Sequence, residues 1–202
     1  MKERIKIFDF DGTITNRDTL IWFIIYACGW RRFVTGFALH APLLVLMKLR
    51  LCSNYRAKQR IFKWFFGGMS VAQFNTLCHN FAADRQDLLR PEAVRELADT
   101  LACGVKVYIV SASIDNWVSQ FAALIAPHSA TRPIVIGTRA EECGGLLTGR
   151  FLTPNCYGAE KVRRIKDYIT RREDFYIIAY GDSRGDKEML EYADERHYKP
   201  FR

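Results

Sequence analysis

The chain has 202 residues, 49% of them hydrophobic, and carries 30 Lys/Arg against 22 Asp/Glu. That size and composition support one full core plus an inserted lobe and exclude disorder. Six cysteines with no CxxC pair and no His cluster at zinc spacing exclude a disulfide framework and a structural zinc site, and fit reduced thiols in a cytoplasmic setting.

The first expected element is a strand, "RIKIFDF" at 4–10, preceded by a lead too short for the apolar region of a signal peptide, so no export is expected. It ends in "FDFDGTIT", residues 8–15, which sets Asp9 and Asp11 two positions apart on a Gly12-Thr13 turn. Period-two spacing points both side chains to one side until the turn begins.

Next comes a segment of unusual charge. Residues 19–83 contain no Asp or Glu but hold Arg31, Arg32, Lys48, Arg50, Arg56, Lys58, Arg60 and Lys63, so the whole +8 of the chain lies there. The segment is also apolar, with "LIWFIIYACGW" at 20–30 and "FVTGFALHAPLLVLM" at 33–47. Each run is short of the ~20 residues a spanning helix needs, and His40 and Pro42 interrupt the second. Two helices apolar nearly all round, beside basic residues, suit either a buried helical lobe or an interfacial patch on an anionic membrane. Nucleic acid is not expected, because the basic residues alternate with long aliphatic runs and no nucleic-acid-binding motif occurs.

Beyond this segment strands and helices alternate. "PEAVRELADTLACG" (91–104), "SIDNWVSQFAALIA" (113–126) and "GAEKVRRIKDYITRR" (158–172) read as helices. "VKVYIVS" (105–111), "PIVIG" (133–137) and "DFYIIAYG" (174–181) read as strands buried on both faces, and "GGLLTGRFL" (144–152) as a small hairpin. The alternation predicts an α/β fold with a doubly wound, mostly parallel Rossmann-like sheet, whose site lies beyond the carboxyl ends of its strands.

Five signals meet at that rim: Asp9, Asp11, Ser111 of "VSAS", Lys161 of "GAEKV", and the Asp182/Asp186 pair of "GDSRGD". A carboxylate can attack phosphorus in line and carry the group as an acyl phosphate, provided that charge is neutralised. Clustered carboxylates call for a hard divalent cation such as Mg²⁺, and Lys161, the Ser111 hydroxyl and the backbone N–H groups beside it, as at Ala112, suit phosphate oxygens. Asp11 can protonate a leaving alcohol and then activate water. Each residue also has an ordinary use, as a turn, a helix cap or a surface lysine; what those uses leave unexplained is the order and strand-end placement of all five. A Ca²⁺ loop of the EF-hand type does not fit, since its spacing after Asp9 is absent.

"DFDGT", "VSAS", the Lys of "GAEKV" and "GDSRGD" together resemble the four motifs of the haloacid dehalogenase (HAD) superfamily, in order and over residues 9–186. The resemblance implies Asp9 as nucleophile, Asp11 as general acid/base, and Ser111, Ala112 and Lys161 as phosphate binders. It implies Mg²⁺ held by Asp9, the backbone carbonyl of Asp11 and Asp182, with Asp186 in support. An acid at position 11 favours phosphate chemistry over carbon–halogen cleavage. Residues 16–88 resemble the helical cap of the phosphoserine phosphatase-like subfamily, which leaves 1–15 and 89–202 as the core domain.

Within that subfamily the chain departs from phosphoserine phosphatases: Asp18 stands where they carry Glu, Ala112-Ser113 where they carry Gly-Gly, and Gly185 where they carry Asn, while Arg60 matches their cap arginine. The non-acidic apolar cap, "DGTITNRD" and "VSAS" look more like the phosphatidylglycerophosphatase C group. The resemblance therefore implies hydrolysis of a phosphomonoester, first a lipid phosphate and second a soluble one such as phosphoserine. A third reading, of another class, is a docking protein with a vestigial site.

Overall fold

The computed structural model describes every residue except Met1, Arg50, Ala126 and His128. Arg50 of the basic segment and the last residue of the helix expected at 113–126 therefore lie outside the described residues. In chain order the elements are β1 (Glu3–Phe8), α1 (Thr19–Leu39), α2 (Ala41–Lys48), α3 (Asn54–Phe66), α4 (Val71–Asp84), α5 (Pro91–Ala102), β2 (Lys106–Ile114) and α6 (Asp115–Ile125). They continue with β3 (Ile134–Thr138), β4 (Ala140–Cys143), β5 (Leu146–Phe151), α7 (Ala159–Lys166), β6 (Phe175–Gly181), α8 (Lys187–Tyr192) and β7 (Glu195–Tyr198).

Five strands form one sheet in the order β3-β2-β1-β6-β7, every neighbouring pair parallel. Period-two alternation decides which residue faces which layer. Ile5 and Ile7 of β1, Tyr108 and Val110 of β2 and Ile177 and Ala179 of β6 pack with Ile165, Met189 and Leu190 under α7 and α8. Phe8, Val107, Ile109, Ile178 and Tyr180 point the other way, toward Leu97, Leu101, Trp117 and Phe121 of α5 and α6. The expected doubly wound sheet is the sheet observed.

Helices α1 to α4 are inserted between β1 and α5. Their aromatic interior, with Phe23, Phe62, Phe66, Phe74 and Phe81 fully buried, is continuous with the upper layer of the sheet. Phe23 stacks on Trp117 at 4.8 Å, and Phe81 meets Phe121 edge-on at 5.5 Å. The β4–β5 hairpin closes the other side of the insert, Phe151 packing against Phe62 at 5.3 Å. Among the described residues no helix is long and apolar enough to cross a membrane.

Several boundaries differ from the sequence-based expectations, each for a local reason. β1 stops at Phe8 because residues Phe10–Ile14 wind into one wide turn in which Gly12 adopts φ +85°. β2 runs past 111 to Ile114, since it continues to pair with β3 across an irregularity between Val110 and Ile114. The hairpin uses Gly144-Gly145 as its turn, so its first arm precedes the expected 144–152. β7 was not expected: "ERHY" is a short, charged edge strand with no apolar run to announce it.

The two apolar runs are also cut differently. α1 continues through Arg31-Arg32 and bends at Gly29, whose φ +78° and ψ +159° suit only glycine. The next break falls at His40, and Pro42 sits in the first turn of α2, where its missing N–H costs nothing.

Candidate active site

Asp9 is the first residue past β1, held to β6 by its backbone N–H donating to the Tyr180 carbonyl at 2.9 Å. Its side chain is buried and meets Lys161, which enters from the first turn of α7 and is 1% exposed. The Lys161 ammonium donates to Asp9 Oδ1 at 2.5 Å, to Asp186 Oδ1 at 2.7 Å and to the Val110 carbonyl at 2.7 Å. All three donor positions of the ammonium are thus used.

Asp186 lies in the turn Arg184–Asp186 and is itself 1% exposed. Its second oxygen accepts from the backbone N–H groups of Asp182 and Ser183 and from the Ser183 hydroxyl. Asp186 therefore fixes both Lys161 and the loop that presents Asp182. Asp182 accepts from Thr13 Oγ1 at 3.4 Å and is paired with Arg202. A Cβ at Gly12 would stand 2.5 Å from Asp182 Oδ2, so the absence of a side chain there lets the two loops meet.

Burial pushes the Asp9 carboxyl up to about 7 against the pull of Lys161, and Asp186 adds to the rise. Burial acts the same way on Asp186, but there the Lys161 charge and its hydrogen bonds hold the carboxyl below its ordinary range. Lys161 is held above its ordinary value, since Asp9 and Asp186 outweigh the cost of burying its charge.

Asp9 Oδ2 is buried and has no hydrogen-bond partner. Asp9, Asp182 and Asp186 each offer a carboxylate oxygen, all within 4.8 Å of one another. A buried anionic oxygen without a partner, among further carboxylates, is an environment that a hard divalent cation satisfies. The residues present therefore fit Mg²⁺. The Asp11 carboxylate is not one of the three: Oδ1 accepts from the Thr19 N–H at 2.7 Å and the Thr19 hydroxyl at 2.6 Å, and Oδ2 from Ser113 Oγ at 2.5 Å. It is held over the cavity by the start of α1 and the end of β2.

These groups line one end of a cavity of about 550 Å³ between the sheet rim and the insert. Leu20, Ile21, Phe37, Leu44, Met47 and Ile61 also line it. The lining thus combines groups that suit phosphate chemistry with apolar side chains that suit a hydrocarbon group.

Residues 7–191 match the family model of the haloacid dehalogenase-like hydrolases. The chain belongs to that family. Protein CicA of Caulobacter vibrioides (strain NA1000 / CB15N) is 34% identical to this hydrolase over 198 residues, 96% of this chain and 85% of CicA. Among solved structures, a protein of unknown function from Bordetella pertussis Tohama I superposes with a TM-score of 0.83 at 20% identity, over 97% of this chain and 89% of that one. A phospho-aspartyl intermediate analogue of phosphoserine phosphatase superposes with a TM-score of 0.58 at 20% identity, over 97% and 86% of the two chains. At these identities the structural likenesses establish the HAD fold.

The sequence-derived residues do not all reach the cavity. Asp9, Asp11, Asp18, Ala112, Lys161, Asp182 and Asp186 line it. Ser111 does not: it is fully buried in the middle of β2, and its hydroxyl oxygen accepts from the Ser113 N–H at 2.9 Å. Arg60 does not either, being exposed on the outer side of α3. Asp18 caps α1 by accepting from the Leu20 N–H at 3.0 Å.

Lys58, Thr19 and Ser113 are site residues that the sequence reading did not single out. Lys58 reaches down from α3, donates to the Ala112 carbonyl at 2.5 Å and faces Asp11 and Asp18. Helical phase was the signal for it. Positions 58, 61, 62 and 65 fall on one stripe, with 61, 62 and 65 buried and apolar, whereas 60 falls on the opposite side.

Proposed function

We propose that this hydrolase is a Mg²⁺-dependent phosphomonoesterase that works through an aspartyl phosphate on Asp9, with a lipid phosphate such as phosphatidylglycerophosphate as substrate and residues 16–88 as its cap. The observation that carries the reading is the buried Asp9, with Oδ2 unpartnered, in the lining of a cavity that also has apolar residues in its wall.

Lys161 grips Asp9 Oδ1 and so fixes the attacking carboxylate at the edge of the cavity. Attack on phosphorus forms the acyl phosphate as the ester oxygen departs with a proton from Asp11. Asp11 then takes a proton from water, whose oxygen attacks phosphorus, frees Asp9 and releases inorganic phosphate. Asp9, Asp182 and the Asp11 carbonyl would hold Mg²⁺, which would supply positive charge to offset the negative charge of the phosphoryl oxygens. Thr19 and Ser113 keep the Asp11 carboxylate in place, and because Thr19 opens α1, the acid is positioned by the cap itself. The fold shared with the phospho-aspartyl analogue of phosphoserine phosphatase supports a covalent intermediate at Asp9. A carboxylate-bearing substrate such as phosphoserine is the weaker reading, because Arg60 lies away from the cavity.

The test begins with an aryl phosphate: turnover with Mg²⁺, abolished by EDTA, separates an enzyme from a docking protein. Asp9→Asn should leave no turnover and trap no BeF₃⁻ adduct, while Asp11→Asn should lose roughly 10²- to 10⁴-fold. In a panel of phosphomonoesters in detergent, phosphatidylglycerophosphate should be cleaved faster than phosphoserine. An active Asp9→Asn variant overturns the nucleophile, and a strong preference for phosphoserine overturns the substrate.

A further inference from the structure

The outer surface of α1 and α2 has no role in the chemistry above. Helix α2 buries none of its residues, although seven of its eight are apolar. Val45 is 55% exposed, and Leu49 and Leu51, just beyond the helix, are 62% and 74% exposed. On the second half of α1, Trp30 is 63% and Leu39 64% exposed. Soluble chains rarely leave so many large apolar side chains exposed on two consecutive helices without something to cover them.

Charge identifies the occupant. Arg31, Arg32 and Lys48 are exposed on the same two helices, and no acidic residue occurs anywhere between 19 and 83. A second copy of this face would bring like charges together, so self-association through it is disfavoured. An apolar tip with a tryptophan, ringed by cations and free of anions, fits the headgroup–acyl boundary of an anionic bilayer. The inner residues of the same two helices, Phe37, Leu44 and Met47, line the cavity that ends at Asp9.

We propose that the α1–α2 tip docks this protein on anionic membranes, outer residues in the interface and inner residues forming an apolar path from the bilayer to the site. The docking itself does not depend on the catalytic reading; only the path's use by a lipid phosphate rests on the function proposed above.

Flotation of the full chain with phosphatidylcholine vesicles, with and without 30 mol% phosphatidylglycerol, tests the docking. Binding is expected to the anionic vesicles at low salt, not to the neutral ones, and to weaken as salt is raised. Arg31→Gln with Lys48→Gln should weaken it roughly thirtyfold, at about fivefold per charge. Leu49→Ser with Leu51→Ser should also lessen it, and both pairs should retain aryl phosphate hydrolysis, because none of these residues lines the cavity. Trp30 should show quenching by brominated acyl chains that Trp30→Phe removes. No flotation at low salt, flotation unchanged by the Leu49/Leu51 pair, or a dimer that this pair dissolves would each overturn the docking. Flotation of Asp9→Asn with no lipid phosphate hydrolysis by the wild type would uphold the docking and sink the lipid-substrate reading alone.

Discussion

Replacing Lys161 with Met tests whether the buried ion cluster is held together as described. The change removes three hydrogen bonds and leaves the Asp9 and Asp186 carboxyls, 6% and 1% exposed, without their shared cation. Removing one member of a buried pair costs about 3–5 kcal/mol, because the remaining charge is neither solvated nor matched. With a urea m-value of about 2 kcal/mol/M, the midpoint should fall by roughly 2 M. Unfolding is followed in EDTA, so that no cation substitutes for the ammonium. The sign with pH follows from Asp9, whose folded carboxyl already stands at about 7, above the unfolded value of about 3.9. A raised folded pKa gives stability that is full below the unfolded value and lost as pH rises through the folded one. Losing Lys161 raises Asp9 further and removes the charge that holds Asp186 below its ordinary range, so the penalty should be larger at pH 8 than at pH 5. A penalty under about 1 kcal/mol, or one equal at both pH values, would refute the account of the cluster.

Lys58→Met should cut kcat/KM on an aryl phosphate by tenfold or more, as expected for a cation facing the reacting carboxylate, whereas Arg60→Met should change it by less than about twofold. Gly12→Ala combines φ +85° with a Cβ only 2.5 Å from Asp182, so it should cost about 1–2 kcal/mol of stability and raise the Mg²⁺ concentration needed for half-maximal activity. Glu96 is held below the usual carboxyl range by hydrogen bonds from Lys6 at 2.5 Å and Tyr180 at 3.1 Å. Its contribution is therefore present above about pH 4.3 and lost as pH falls through the folded value, so Glu96→Gln should destabilise by at most about 1 kcal/mol at pH 7 and by almost nothing at pH 3, read by urea titration.

The sheet could be read from the chain because its central strands are buried on both faces. "KIF", "VYIV" and "YIIAY" leave few other conformations, and within one to three residues of their ends come Asp9, Ala112-Ser113 and Asp182. What escaped was what apolar content does not encode. β7 is recruited by the open edge of β6, through the Ile178–Glu195 to Gly181–Tyr198 register, not by its own composition. Ser111 and Ser113 stand two apart in β2, which regular alternation would put on one face, and the irregular stretch between Val110 and Ile114 is where the two part, Ser113 alone reaching Asp11. Helical phase, once counted from Ile61 and Phe65, separates Lys58 from Arg60 without any structure.

The apolar runs show where sequence reading stops in principle. Phe23 and Trp30 sit seven residues apart in one helix, at positions that share a face of an unbroken helix, yet one is fully buried and the other 63% exposed. Gly29 lies between them, and its bend ends the phase relation, so that Phe33 and Phe37 rather than Trp30 face the aromatic core in the second half of α1. From there outward the chain has α3 on one side only: Gly36 is pressed so closely on Phe65 that a Cβ would stand 2.5 Å from its ring, while Val34 and Leu39 have no such neighbour and remain exposed. Hydrophobicity sets how strongly each residue leaves water, but whether another element lies opposite decides if it can. A single glycine thus divides one continuous apolar segment into an interior part of the insert and an open surface, where the exposed charges are all cationic because the segment carries no acid.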